Sequence, residues 1–429
     1  MRQSEIIKYY SKPGMAKEIT RLASSRETIA QFGLNIVGKR PDMINMPGDV
    51  TRLARQGATS FHTSEEIWDD PLRLSSDCTR MEMDALRAGW DFIIDIDSPN
   101  VKYGKITAKL ILQAFEYHGL KNASLKYSGN KGFHIGVPFK ALPKSIRGDA
   151  IETLFPEAPR IIAEYIKEFV RHHLSAAILE QIGDLDKIVK DTGLSRSELL
   201  VIGKNGWEFD PYKIIELDAI LLAPRHLFRM PYSLHEKSWL ASVVLSLEEL
   251  DSFEMELAKP EDVVVRDWFL NPDRVEEGEA TQLVVQAFDF QKKVEKEEDN
   301  VVRKIEFKGD VDESAFPPCV KHILQGLEEG RKRALFVLAN FFKCLNWSWE
   351  KIKFQIEEWN KKNKPALKAG YVKSQLSWHR AHGKKVPPPN CDNAGYYKDI
   401  GVCRPNSLCR DAKNPLSFVA RRVRIKKKN

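Results

Sequence analysis

At 429 residues, with 42% hydrophobic and 30% charged side chains, the chain is long enough for two or three domains with separate cores. No run reaches the roughly 18 apolar residues of a membrane span, and the opening MRQSEIIKYYSK lacks the apolar stretch of a secretory leader, so the expected location is the cytoplasm. The net charge of +7 is unevenly spread: residues 331–429 carry 24 Lys and Arg against 6 Asp and Glu, residues 251–330 carry 10 against 21, and residues 1–250 balance. A basic module behind an acidic stretch predicts a polyanionic partner for the C-terminal part, because attraction to phosphate grows with such clustering.

Apolar spacing predicts a helix over 15–34 that runs into a turn at Gly33. Glu82 to Ala88 reads as a helix stopped by Gly89, and Trp90 to Ile96 as an almost wholly apolar strand with carboxylates set into it. A helix from Ile106 to Tyr117, a strand from Ala123 to Tyr127, the turn Ser128–Gly132 and a strand from Phe133 to Pro138 follow. That succession describes an α+β core rather than a helical bundle. Residues 150–200 read as mostly helical and 213–223 as strand. The expected division is a first domain over 1–255, an acidic linker region over 256–312 containing the run VEKEEDN at 294–300, and a C-terminal domain over 313–429. Its predicted helices are about 319–328, 331–344, 348–361 and 370–382, with loops from Val386 onward.

Residues two apart on a strand share a face, so Asp95 and Asp97 present their carboxylates side by side, with Asp91 behind them. Ile93, Ile94 and Ile96 mark the sheet as buried, where unpaired carboxylates are costly. Divalent cations relieve that cost, as does pairing with arginine or capping of a turn. The turn Ser128-Gly129-Asn130-Lys131-Gly132 can turn backbone N–H groups toward an anion, and His134 points into the same cleft. Glu216 and Asp218 form a second acidic pair, followed by the basic group Arg225, His226, Arg229, His235 and Lys237. Carboxylates beside cations are the inventory that nucleotidyl transfer requires.

Of six cysteines, Cys344 sits on an apolar helix and reads as a core residue, and Cys78 has no companions. Cys319, Cys391, Cys403 and Cys409 lie in turn-like sequence. Four thiolates there suit either zinc or a [4Fe–4S] cluster.

The segments DFIIDIDS, SGNKGFHIGVP and LFRMPYSLHEKS, preceded by SSRETIAQFG, resemble the signature segments of the catalytic small subunit of archaeal and eukaryotic DNA primases, in the same order. The resemblance covers residues 1–255. It implies two Mg2+ or Mn2+ ions held by Asp95, Asp97 and Asp218, with Glu216 a rival for the third position. It also implies an incoming nucleotide contacted by Ser128, Lys131, His134, Arg229, His235 and Lys237. The zinc-binding insertion of that family is absent from the sequence, and Lys131 stands where Arg is common, which keeps the charge and loses the bidentate fork.

FPPCVKHIL, PPPNCDNAG, IGVCRPNSLC and KNPLSFV resemble the C-terminal domain of the primase large subunit. That resemblance implies a [4Fe–4S] cluster on Cys319, Cys391, Cys403 and Cys409. The expected fold is therefore α+β: a primase-type catalytic domain with mixed sheets and a helical insertion, followed by a mostly helical iron–sulfur domain. The expected activity is synthesis of short RNA or DNA primers from nucleoside triphosphates on a single-stranded DNA template, with the C-terminal domain aiding initiation. The expected setting is a nucleoid-associated monomer in contact with other replication proteins. A repair or lesion-bypass primase-polymerase and a non-catalytic nucleic-acid-binding accessory protein are the alternatives.

Overall fold

The computed structural model describes residues 1–34, 36–203, 206–218, 224–303, 307, 311–381, 385–391, 393–410 and 412–426. It divides into two units, Met1–Lys292 and Lys293–Asn429. The first is a mixed α/β body built on two open sheets.

The larger sheet has the order Glu216–Asp218, Phe92–Asp97, Phe133–Val137, Ser124–Tyr127, Val244–Leu245. The four-stranded sheet has the order Leu227–Arg229, Ser60–Ser64, Thr28–Phe32, Ile36–Val37. Among the described residues every paired strand runs antiparallel, a correction to the mixed sheets expected from sequence.

Alternation along Phe92–Asp97 decides how these layers are arranged. Phe92, Ile94 and Ile96 point into a core completed by helices Val101–Tyr117 and Glu157–Gln181. Ile93 points the other way, into a second core with Phe61 and Phe228 of the smaller sheet and with Ile6, Tyr10 and Ile19 of the N-terminal helices. The strand is thus covered on both faces along most of its length. Asp95 and Asp97 share the Ile93 face and extend it toward an opening.

Two local expectations give way to tertiary pairing. The helix expected over 15–34 ends at Ala23, and Thr28–Phe32 is a strand. Ser25, at φ 58, breaks the helix, and the β-branched Thr28 and Ile29 pair with Thr63 and His62. Residues 256–292 are part of the first unit rather than a linker. Val263, Phe269, Leu270, Val275, Leu283 and Val284 are buried in its two cores, while Asp262, Glu276 and Glu277 face solvent. The acidic run 294–300 lies within the helix Thr281–Arg303.

The second unit is helical: Pro318–Ile323, Arg331–Cys344, Trp349–Lys361, Ala369–Ala381 and Pro415–Lys426 surround one core. Phe342 stacks on Trp347 with centroids 4.4 Å apart, and Phe316 packs edge-on against Phe341 at 5.0 Å. The Trp359 indole donates to the Ile323 carbonyl at 2.7 Å, which satisfies a polar group that is otherwise buried. Cys344 is buried in this core, as its apolar setting predicts. Among the described residues no helix is long and apolar enough to cross a membrane.

Phe342→Ala should lower stability by about 3–5 kcal/mol through loss of buried ring area and the cavity left behind. Phe354→Ala, on the exposed side of the neighbouring helix, should change it by no more than about 0.5 kcal/mol. Chemical denaturation of the full chain, followed by tryptophan fluorescence, measures both.

Candidate functional site

The five-stranded sheet carries a transverse row of polar residues. Asp218 pairs with Asp95, Asp95 with His134, and His134 with Lys126, each directly across from the next. Residues in register on adjacent strands share a face, so these positions line up across the sheet. His134 Nε2 lies 3.3 Å from Asp95 Oδ1. Lys126 is wholly buried, with Nζ 2.9 Å from the Ser242 hydroxyl and over the rings of Phe228 and Phe269.

A cleft of about 230 Å3 opens above the row. Asp95, Asp97, Ser128, Asn130 and His134 line one side, and His62, His226, Phe228, Arg229 and His235 line the other. Residues from four stretches of the sequence, at 62, 93–97, 128–134 and 226–235, meet there. The turn after Tyr127 is shaped by its glycines. Gly129 has φ 98, and a Cβ there would lie 3.0 Å from His235 Cβ. At Gly132 a Cβ would collide with the Ile96 carbonyl oxygen. The glycines let the turn press against both the carboxylate strand and the His235 loop.

Glu236 organises the basic side. It accepts from Arg229 Nη2 at 2.7 Å and Nη1 at 3.1 Å, and from the Ser60 hydroxyl, and it lies 3.2 Å from His62 Nε2. Burial works to raise its pKa, but hydrogen bonds from His62 and Arg229 outweigh that and hold it well below the usual carboxylate range. Arg229 also donates to the Leu234 carbonyl at 2.7 Å. Its guanidinium is fixed before any ligand arrives.

His134 and His235 are both pushed toward the neutral form. Burial, with the cations Lys126 and Arg229 and nearby His62, pushes His134 well below its ordinary value. His235 is pushed down to about 4 by burial and Arg229. Burial and then Glu216 raise Asp97 above its ordinary value. Lys126 is pushed well down by burial, against the opposing pull of Asp95.

Of the residues singled out from sequence, Asp95, Asp97, Ser128, His134, Arg229 and His235 meet in this cleft. Lys131 and Lys237 are exposed and do not line it. The backbone of Asp218 stands opposite Asp95, and its side chain lies outside the described residues. Glu216 is exposed and stands opposite Asp97. Asp91 is elsewhere: it forms a buried ion pair with Arg26 at 2.5 Å and accepts the Phe139 N–H at 2.8 Å. Arg225 is bound to Glu27 at 2.7 Å. Sequence reading missed His62, Ser60, Glu236 and Lys126. The alternation Ser60, His62, Ser64 was the available signal for the first two, since a polar face on a buried strand needs partners.

The metal expectations are corrected. Among the described residues no group of three or more His, Cys, Asp and Glu side chains is arranged to hold a metal ion. This removes support for both the two-ion Mg2+ or Mn2+ centre at Asp95, Asp97 and Asp218 and the [4Fe–4S] cluster at Cys319, Cys391, Cys403 and Cys409. Asp91 is committed to Arg26, and Asp95 faces His134. None of the four cysteines is in a disulfide. Burial, followed by electrostatic contact with Cys391, Cys409 and Cys403, pushes the Cys319 thiol up to about 12.

No family model matches the chain. A stretch of 58 residues is 43% identical to an uncharacterized protein of Methanocaldococcus jannaschii and covers 13% of this chain and 13% of that one. Among solved structures, the polymerase domain of Mycobacterium tuberculosis ligase D in complex with DNA is similar at a TM-score of 0.35. Its identity is 13%, over 66% of this chain and 88% of that one. At that level the likeness adds nothing to the geometry above.

Glu236→Ala should cost about 3–5 kcal/mol, because it leaves Arg229 without its carboxylate partner; Glu236→Asp should recover part of that loss in the same thermal unfolding assay. A second outcome concerns pH. His134 holds its folded pKa below the unfolded value, so below about pH 6.5 the unfolded chain binds the extra proton and the fold loses stability. Relative to His134→Gln, the native chain should therefore lose up to about 1.4 kcal/mol for each pH unit below that point. Unfolding of both proteins between about pH 7.5 and 5 measures the difference.

Proposed function

We propose that the first unit catalyses template-directed nucleotidyl transfer, and that the chain assembles short RNA or DNA primers from nucleoside triphosphates on single-stranded DNA. The observation that carries this reading is the convergence of Asp95, Asp97, Ser128, His134, Arg229 and His235 on one cleft. In such a reaction the 3′-oxygen of one nucleotide attacks the α-phosphorus of the next and pyrophosphate leaves. The attacking hydroxyl must lose a proton and the leaving phosphates must have their charge offset.

The two ends of the cleft are suited to those two tasks. The carboxylates of Asp95 and Asp97 stand where a hydroxyl can be held and relieved of its proton. A raised Asp97 is the better proton acceptor of an ordinary pair, because its basicity is increased. Arg229, locked by Glu236, offers a fixed cation for the triphosphate, with the Ser128 hydroxyl across from it. Lys131 and Lys237 are exposed next to the lining residues Asn130 and His235, within reach of outer phosphates. Neutral His134 and His235 can donate one hydrogen bond each without the cost of burying a charge. The basic C-terminal unit suits attraction to the template phosphates.

The test is nucleotide incorporation on unprimed single-stranded DNA. The native chain should yield short oligonucleotides, and Asp95→Asn and Asp97→Asn should each reduce the rate at least about a hundredfold while keeping the native unfolding midpoint. Extension only of a supplied primer would favour a repair polymerase. DNA binding without incorporation would favour an accessory protein.

A further inference from the structure

A second cavity, of about 750 Å3, lies beside the cleft, where the helix Gln3–Tyr10, residues 238–240 and residues 259–261 meet. One loop separates the two. His235 lines the cleft, and Trp239 lines the second cavity. The loop is closed by hydrogen bonds from His235 N–H to the Leu240 carbonyl at 2.8 Å and from Trp239 N–H to the His235 carbonyl at 2.9 Å. The Ser238 hydroxyl pins it to the Gly129 carbonyl of the turn across the cleft. Trp239 sits at φ 61. A bulky residue is uncommon in that conformation and persists only where its surroundings impose it, as they do at binding sites.

The lining carries Lys8 and Lys259, both exposed, beside the half-buried indole. Lys12 is committed, donating to the Pro260 carbonyl at 2.9 Å and lying over the Tyr9 ring. Glu5 and Glu261 oppose them; Glu5 is itself engaged, accepting the Arg2 N–H at 2.7 Å. An aromatic side chain and exposed amines lining one cavity are the combination that holds an unpaired base and its flanking phosphates. We infer that this cavity binds single-stranded nucleic acid, with Trp239 stacking on a base and Lys8 and Lys259 pairing with phosphates. The inference takes its direction from the nucleotidyl-transfer reading, in which a template strand must pass beside the cleft, but the binding is measurable without catalysis.

The experiment uses the full chain, a fluorescein-labelled oligothymidylate and anisotropy over a salt series of about 50 to 200 mM. The double variant Lys8→Gln/Lys259→Gln, changed only at exposed positions, should reduce the slope of log affinity against log salt by about 0.7 per lost phosphate contact. Trp239→Ala should weaken binding about tenfold or more at a single salt concentration. Binding of a fluorescent triphosphate without DNA should stay within twofold in both variants. Because any attraction of the basic C-terminal unit to DNA is common to all three proteins, the difference in slope is the readout. An unchanged slope in the double variant overturns the inference, as does an equal loss of triphosphate binding or full displacement of the oligomer from this cavity by a mononucleotide. The expected pattern with no nucleotide incorporation by the native chain would leave this site standing and remove the nucleotidyl-transfer reading instead.

Discussion

The alternation of six residues governs the first unit. Phe92, Ile94 and Ile96 take one face of the strand Phe92–Asp97 and enter the helical core, while Ile93 on the other face enters the core shared with the smaller sheet. Charges on such a strand are tolerable only at its end, where the two sheets part. Asp95 and Asp97 stand there, and Asp91, deeper in, is neutralised by Arg26. Burying a carboxylate without a partner costs several kcal/mol. The cleft is thus as much a requirement of the strand's sequence as a product of the fold around it.

The opposite wall depends on a different device. Glu236, on the loop after the Leu227–Arg229 strand, gathers Arg229, Ser60 and His62 from two strands of the smaller sheet. Two further carboxylates of the first unit, both wholly buried, are likewise held by arginines: Glu66 by Arg87, and Glu27 by both Arg40 and Arg225. The Arg225–Glu27 pair joins the segment before the Leu227–Arg229 strand to the residue that precedes the strand Thr28–Phe32. Buried pairs of this kind contribute little net stability, yet each fixes a geometry, because losing one partner leaves a bare charge. A rigid cation facing a rigid carboxylate pair needs no rearrangement when an anionic ligand enters, which is the condition for electrostatic preorganisation.

The second unit rests on aromatic packing rather than on charge. Phe316, Phe341, Phe342 and Trp347 form its centre, and its cations are carried outside. Its cysteines Cys319, Cys391, Cys403 and Cys409 form no disulfide, and burial pushes the Cys319 thiol toward the protonated form.

Much of this was legible in the sequence because the signals were local. The helices Arg331–Cys344 and Trp349–Lys361 follow directly from apolar spacing, and the pairing of Asp95 with Asp97 follows from the two-residue period of a strand. The signature segments group Ser128, His134, Arg229 and His235 with them. What escaped was non-local. The strand Thr28–Phe32 exists because Ser60–Ser64 is there to pair with it, and residues 256–292 are structural because two cores have room for their scattered apolar side chains. Glu236 has no pattern in sequence that marks it as a hub, since its partners are 7, 174 and 176 residues away. The sequence by itself determined which residues could carry charge into a sheet and which helices would form, since both depend on neighbours a few positions apart. Only the tertiary structure decided which charges face each other and that Asp91 is a strut rather than a ligand. Electrostatic partnership depends on distance in space, and distance in the chain does not report it.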